Sequence, residues 1–185
     1  MISDTVSDAE RRMTKAVEAA QHDYSGIRTG RANPVLLERI MVDYYGTNMP
    51  VNQIATISVP EPRLLIIAPW DKSAIPQIER AIMKSDLGIT PGSDGNVVRL
   101  AIPQLTEERR KEMIKVLHKK AEEHRVAVRN VRRDANEHLK QQEKGGAVSE
   151  DEVKRAQEQI QKMTDKHIEQ IDHLTHAKEA ELMEV

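Results

Sequence analysis

The chain has 185 residues, a formal net charge of −2, 31% charged residues and only 2% aromatics, namely Tyr24, Tyr44, Tyr45 and Trp70. That balance leans towards long helices, and the absence of cysteine excludes disulfides, thiolate metal sites and thiol catalysis. The start MISDTVSDAE is acidic and lacks the basic flank and apolar run of a signal peptide, and no stretch reaches the ~18 apolar residues of a membrane span, so a cytoplasmic protein without membrane contact is expected.

Ile2, Val6, Ala9, Met13, Ala16, Ala20 and Ile27 recur at spacings of three, four or seven, which predicts a first helix. Ser3 or Ser7 is its expected cap, Ser7 with Glu10 fitting a capping box. RTGRANP ends it: Gly30 can take a left-handed stop conformation, and Pro34 disfavours helix at Asn33.

The next stretch changes character. RIMVDYYG, VNQIATISV, RLLIIAP and NVVRLAI are short β-branched runs separated by Gly, Pro and Asn, and predict strands. Between them SAIPQIERAIMKSDLG reads as one helix, with Pro76 near its start and Gly88 past its end.

From Thr106 the helical period returns. Ile114, Leu117, Ala121, His124, Val128, Val131, Ala135 and His138 alternate by three and four. Gly145 and Gly146 break the run, and Ser149 caps a last helix carrying Val153, Ala156, Ile160, Met163, His167, Ile171, Leu174 and Ala177. Three heptad-like helices predict a three-helix bundle, satisfied within one chain and so expected to be monomeric.

The expected fold class is therefore α+β, an elongated bundle formed by residues 1–29 and 105–185 and interrupted by a small α/β domain, a β/α/β sandwich of residues 30–104. Gly30, Arg31, Pro103, Gln104 and Leu105 form the two connections, which read either as a hinge or as plain linkers between rigidly packed domains.

Catalytic constellations are scarce. Neither a P-loop nor a dinucleotide fingerprint occurs, and TPGSDGN reads as a surface turn. His167, His173 and His176 lack a fixed carboxylate and do not share one face, so neither a metal nor a cofactor is expected. Nothing assembles a nucleophile, base and orienting group, and the chain does not read as an enzyme.

Charge is unevenly spread. Residues 104–144 carry 12 basic and 8 acidic side chains, whereas residues 145–185 carry 5 and 10. Within the basic segment, RVAVRNVRRDAN places Arg125, Arg129, Arg132 and Arg133 roughly 90–170° from the apolar seam. Arg129 and Arg132 have no acidic residue three or four positions away; Arg129 instead meets Arg125, Arg132 and Arg133. Such like-charge pairs destabilise a helix by ~0.2–0.5 kcal/mol each. Two readings of this face stand on pattern alone: a solvated surface or ion pairs across to the acidic last helix, the pairing being awkward because the stripe points away from the seam; or arginines that grip backbone phosphates of folded RNA through their planar forks. Base stacking is disfavoured in either case, because the bundle offers only Tyr24. A third reading of the whole chain, a helical scaffold whose insert binds a protein, also leaves the arginines solvated.

IRTGRANP (27–34), DYYGT (43–47), SDLG (85–88), TEERRKE (106–112) and RVAVRNVRRDAN (125–136) closely resemble bacterial ribosome recycling factors, in order over the full length. The resemblance implies an overall L shape like transfer RNA. It also implies action after termination: binding between the subunits and, with elongation factor G and GTP hydrolysed by that partner, splitting them. The family's arginine face contacts large-subunit ribosomal RNA at the intersubunit side. Carried onto this sequence, the matching positions are Arg129, Arg132 and Arg133, with Arg125 on the same face and Arg28 and Arg31 flanking the hinge at Gly30, Arg31, Pro103, Gln104 and Leu105.

Overall fold

The computed structural model describes residues 2–184. The chain divides into two compact units, Met1–Ile27 with Glu108–Val185, and Arg28–Glu107. The first holds three helices, α1 (Ile2–Ser25), α3 (Glu107–Lys144) and α4 (Glu150–Met183). At 1.5 Å per residue, the 38 residues of α3 extend roughly 57 Å.

Most apolar residues of the expected seams are buried. Val6, Ala9, Met13, Ala20 and Tyr24 of α1 are buried, with Leu117, Ala121, Val128, Val131, Ala135 and Leu139 of α3. Several expected positions shift: His124, Met163 and Leu174 are only half-buried, and Thr164 and Thr175 are buried in place of the last two. His138 is exposed and Leu139 takes its place, an exchange that favours the residue with no polar atoms to satisfy. On α4 the stripe runs Val153, Ala156, Ile160, Thr164, His167, Ile171, Thr175, while Ala177 is exposed. Spacings of three, four and four give an eleven-residue period, close to that of a straight helix, where the heptad reading drifts off the face. The threonines tolerate burial because each hydroxyl donates to its own helix, Thr164 to the Ile160 carbonyl at 2.8 Å and Thr175 to that of Ile171 at 2.7 Å. His167 Nδ1 donates to the Met163 carbonyl at 2.7 Å in the same way.

Helix ends follow local chemistry. Ser149 and Glu152 form a complete capping box on α4. Gly146, at φ +71, closes α3 in a Schellman motif: its N–H bonds the Glu143 carbonyl and that of Ala147 the Gln142 carbonyl. The expected Ser3 or Ser7 cap is not realised, since α1 already begins at Ile2 and both serines lie inside it. Gly30 does not terminate α1, which ends five residues earlier at Ser25; its φ of +78 belongs to the linker.

The second unit is built from a hairpin, β1 (Met41–Tyr44) with β2 (Thr47–Pro50), a four-stranded antiparallel sheet and the helix α2 (Ile75–Lys84). The sheet contains β3 (Ala55–Glu61), β4 (Leu64–Pro69), β5 (Gly92–Ser93) and β6 (Val98–Ala101), in the order β3-β4-β6-β5. Helix α2 packs on both β1 and β6, so a helix separates hairpin from sheet. Leu65 and Ile67 of β4, Val98 and Leu100 of β6, and Ile78 and Ile82 of α2 fill the core with Leu37, Val42 and Val51. Strand β2 and the short β5 are additions to the expected strands, and Val51–Gln53, expected within a strand, is a 3-10 turn.

Candidate RNA-binding face

Helix α3 carries the four arginines past the seam residues Val128 and Val131, and the structure grades them by availability. Arg125 is the most engaged. Its Nε donates to Asp172 on α4 at 2.6 Å and its Nη1 to Glu122 at 3.2 Å, with the side chain only 25% exposed. Burial works against its charge, but these two carboxylates outweigh that and raise its pKa. The expectation that this stripe points too far from α4 for pairing therefore fails at Arg125, whose long stem reaches across.

Arg129 corrects a second expectation. It lacks an acidic residue at three or four positions, yet its Nη1 donates to Glu122 at 2.8 Å, seven residues earlier. Two helical turns bring 122 and 129 onto one line, and the extended guanidinium spans the gap. Hydrogen bonds from Arg129 and then Arg125 hold the Glu122 carboxyl below its ordinary pKa. Both ends are well exposed, so this ion pair contributes little to folding. Arg132 meets only a neutral partner, its Nη1 donating to Gln161 Oε1 at 3.2 Å. Arg133 is exposed and makes no hydrogen bond or ion pair among the described residues. Two cations without carboxylates thus sit beside one held loosely and one held firmly.

The two flanking arginines lie in the other unit. Arg28 is exposed and donates to the Asp86 carbonyl at 2.8 Å; Arg31 is exposed. Gly30 lies against Leu105, and a Cβ at position 30 would come 3.4 Å from the Leu105 nitrogen, so the two linkers run side by side there.

A polar cluster that sequence patterns did not reveal ties α1 to α3. Asp23 accepts from Lys120 Nζ at 2.7 Å and from His124 Nε2 at 2.8 Å. Next to it Tyr24 is buried, stands edge-on to the His124 ring at 5.9 Å and bonds Thr175 Oγ1 at 3.0 Å. The ring read as the bundle's only candidate for base stacking is therefore core. Burial pushes the Asp23 carboxyl up, but the bonds and positive charges of Lys120 and His124 hold it below 3.8. A carboxylate with a depressed folded pKa stabilises the fold above about 3.8, and that contribution is lost as pH falls through the folded value. Asp23→Asn is expected to flatten this limb: urea midpoints of variant and parent converge as pH drops below 4, where the parent loses its advantage.

Among the described residues no group of His, Asp or Glu is arranged to hold a metal ion, and no helix is long and apolar enough to cross a membrane. His167 is buried on the α4 stripe, whereas His173 and His176 are exposed.

The family model described as Ribosome recycling factor matches residues 20–183, which include every residue of the arginine face. The chain belongs to the ribosome recycling factor family. Ribosome-recycling factors of Syntrophomonas wolfei and Carboxydothermus hydrogenoformans are 61% and 58% identical to it over 185 residues, covering all of both chains. A solution structure of a ribosome recycling factor superposes with a TM-score of 0.79 at 48% identity, covering 100% of this chain and 98% of that one. A second structure, of the T. thermophilus ribosome recycling factor with E. coli elongation factor G bound to the E. coli post-termination complex, matches with a TM-score of 0.69 at 44% identity over all of both chains. The family's α+β architecture, long helices with an inserted sheet domain, is the one seen in this chain.

Proposed function

We propose that this chain is a translation factor that, with elongation factor G and GTP, disassembles the post-termination ribosome into subunits, freeing messenger RNA and deacylated transfer RNA. The observation that carries it is full-length similarity to a factor whose structure holds elongation factor G on a post-termination complex. The arginine face supports the same reading. Arg132 and Arg133 keep their charge without a carboxylate partner, and Arg129 can exchange an exposed carboxylate for a phosphate. In this role Arg125 chiefly fixes α3 to α4, while Arg28 and Arg31 add contacts beside the linkers.

The factor supplies position and stiffness, and GTP hydrolysis belongs to its partner. Three packed helices transmit a push from elongation factor G to RNA gripped by the arginines. The inserted unit, residues 30–104, turns about Gly30–Arg31 and Pro103–Leu105. Gly30→Pro is a poor probe of that turning, because φ +78 is closed to proline. Gln104→Pro is a better one, since no hydrogen bond of the Gln104 N–H is lost.

One experiment tests both parts: light scattering of post-termination ribosomes with elongation factor G and GTP, beside co-sedimentation. The intact chain is expected to split ribosomes, Arg132→Ala to lose binding and splitting together, and Gln104→Pro to lose splitting while still binding. No splitting by the intact chain with a matched elongation factor refutes the function. Equal losses in both readouts for Gln104→Pro refute the turning.

A further inference from the structure

Three of the chain's four aromatic residues, Tyr44, Tyr45 and Trp70, lie in the inserted unit, and two of them face solvent, Tyr45 at 78% and Trp70 at 70% exposure. Tyr45 is held there by its surroundings. With Gly46 it forms the two-residue loop between β1 and β2, and both have positive φ, +50 and +80. Such a turn prefers Asn or Gly, and a bulky residue in it is strained. The Tyr45 hydroxyl donates to Asp71 Oδ2 at 2.7 Å and lies 3.2 Å from Ser73 Oγ, while Tyr44 stands edge-on to the ring at 4.6 Å. The ring is thus fixed at both ends with its surface open.

Beside it is an open depression of about 240 Å³, lined by Asp43, Tyr44, Tyr45, Gly46, Ser73 and Gln77 among others. Asp43 forms part of this wall, and Asp71 lies behind it, bonded to Tyr45 and Ser73. Neither carboxylate has an ion-pair partner among the described residues. Asp43 Oδ1 accepts the Gly46 N–H, and Asp71 accepts from Ser73, Tyr45 and Tyr44, all neutral donors. Those donors hold Asp71 at a pKa of about 2, so it is ionised throughout the physiological range without being neutralised. Lys72, its chain neighbour, pairs with neither acid.

An immobilised phenol ring with one uncompensated carboxylate, Asp43, in the same wall and another, Asp71, on its hydroxyl repels phosphate and attracts a planar cation. We infer that this depression binds an arginine side chain presented by a protein partner, the guanidinium stacking on Tyr45 with its charge answered by Asp43 and Asp71. The site is separate in sequence and chemistry from the arginine face of α3, and takes a cation where that face takes an anion.

The test titrates the full-length, isotope-labelled chain with acetyl-Gly-Arg-Gly-amide, with its citrulline counterpart, which keeps the shape and lacks the charge, and with a uridylate tetranucleotide. Amide resonances of Gly46 and Ser73 are followed. The arginine peptide is expected to shift them saturably, and the citrulline peptide to bind about tenfold more weakly or worse. Tyr45→Asn suits the turn better than tyrosine and removes the ring with its exposed hydroxyl bond to Asp71, which keeps both Ser73 donors, so the fold is kept; it is expected to weaken arginine binding about tenfold. Asp43→Asn is expected to weaken it severalfold. Equal binding of arginine and citrulline, undiminished binding by Tyr45→Asn, or no shift with any probe overturns the inference. A response to the tetranucleotide at lower concentration than to the arginine peptide also overturns it, in favour of an RNA-stacking platform.

Discussion

Replacing Arg129, Arg132 and Arg133 together by alanine is expected to weaken binding to vacant ribosomes by about 100-fold or more. Each charge-assisted contact to phosphate contributes ~1.5–3 kcal/mol, so even strongly non-additive losses across three residues exceed the ~2.8 kcal/mol that corresponds to 100-fold. The salt dependence should change with the affinity. Losing three phosphate contacts lowers the slope of log K against log salt by roughly 2–3, which a merely misfolded variant would not do in a graded way. Folding is not the weak point, because the substitutions remove like charges that repel along α3. Glu122→Gln gives the opposite sign. Glu122 accepts from both Arg129 and Arg125, and a phosphate must compete with it for Arg129. Removing its charge is therefore expected to tighten ribosome binding severalfold while leaving Arg125 held by Asp172. Affinities measured at several salt concentrations decide both points; a triple variant that binds like the parent ends the phosphate reading.

This pair of variants also marks how far the site could be read from sequence. The arginines themselves, and their position away from the seam, follow from 100° per residue. Their partners do not. Near-neighbour rules stop at four residues, so Glu122 two turns from Arg129 goes unseen, although a long guanidinium spans that distance easily. Asp172 goes unseen because its meeting with Arg125 depends on how α4 is rotated, and rotation is fixed by packing between helices. Helix α4 shows the same dependence: its apolar residues suggest a heptad, but threonines that satisfy their own hydroxyls move the buried stripe to an eleven-residue period. Punctuation, by contrast, is local and legible. Ser149 with Glu152 and the Gly145–Gly146 pair act within a few residues of themselves, and they end and begin helices where expected. The turn at Tyr45–Gly46 is local too, yet hidden, because tyrosine disguises a left-handed position that is held from outside by Asp71.

Tyr24 carries the second large expected effect, and it links the fold to the arginine face. Truncating this buried ring, Tyr24→Ala, is expected to cost the bundle about 3–5 kcal/mol. The ring touches all three helices: it belongs to α1, meets His124 of α3 edge-on, and hydrogen-bonds Thr175 of α4. Since Thr175 already donates to the Ile171 carbonyl, the Tyr24 hydroxyl is the donor between the two side chains. Burial raises the pKa of that phenol against the Thr175 bond, which lowers it. Tyr24→Phe removes the donor and is expected to cost about 0.5–1.5 kcal/mol, whereas Thr175→Val leaves a buried hydroxyl without a partner and is expected to cost about 1–3 kcal/mol. Combining the two removes both polar atoms, so the double variant should lie well above the sum of its parts. Far-UV circular dichroism during urea unfolding follows the bundle, and fluorescence of Trp70, the sole tryptophan, follows the other unit as a control. A Tyr24→Ala variant no less stable than Tyr24→Phe would mean that the ring does not join the helices. Because His124 is one residue from Arg125 and four from Val128, a bundle loosened at Tyr24 loosens the base of the arginine stripe. Ribosome affinity of Tyr24→Ala, measured well below its unfolding midpoint, should then fall even though every arginine is still present.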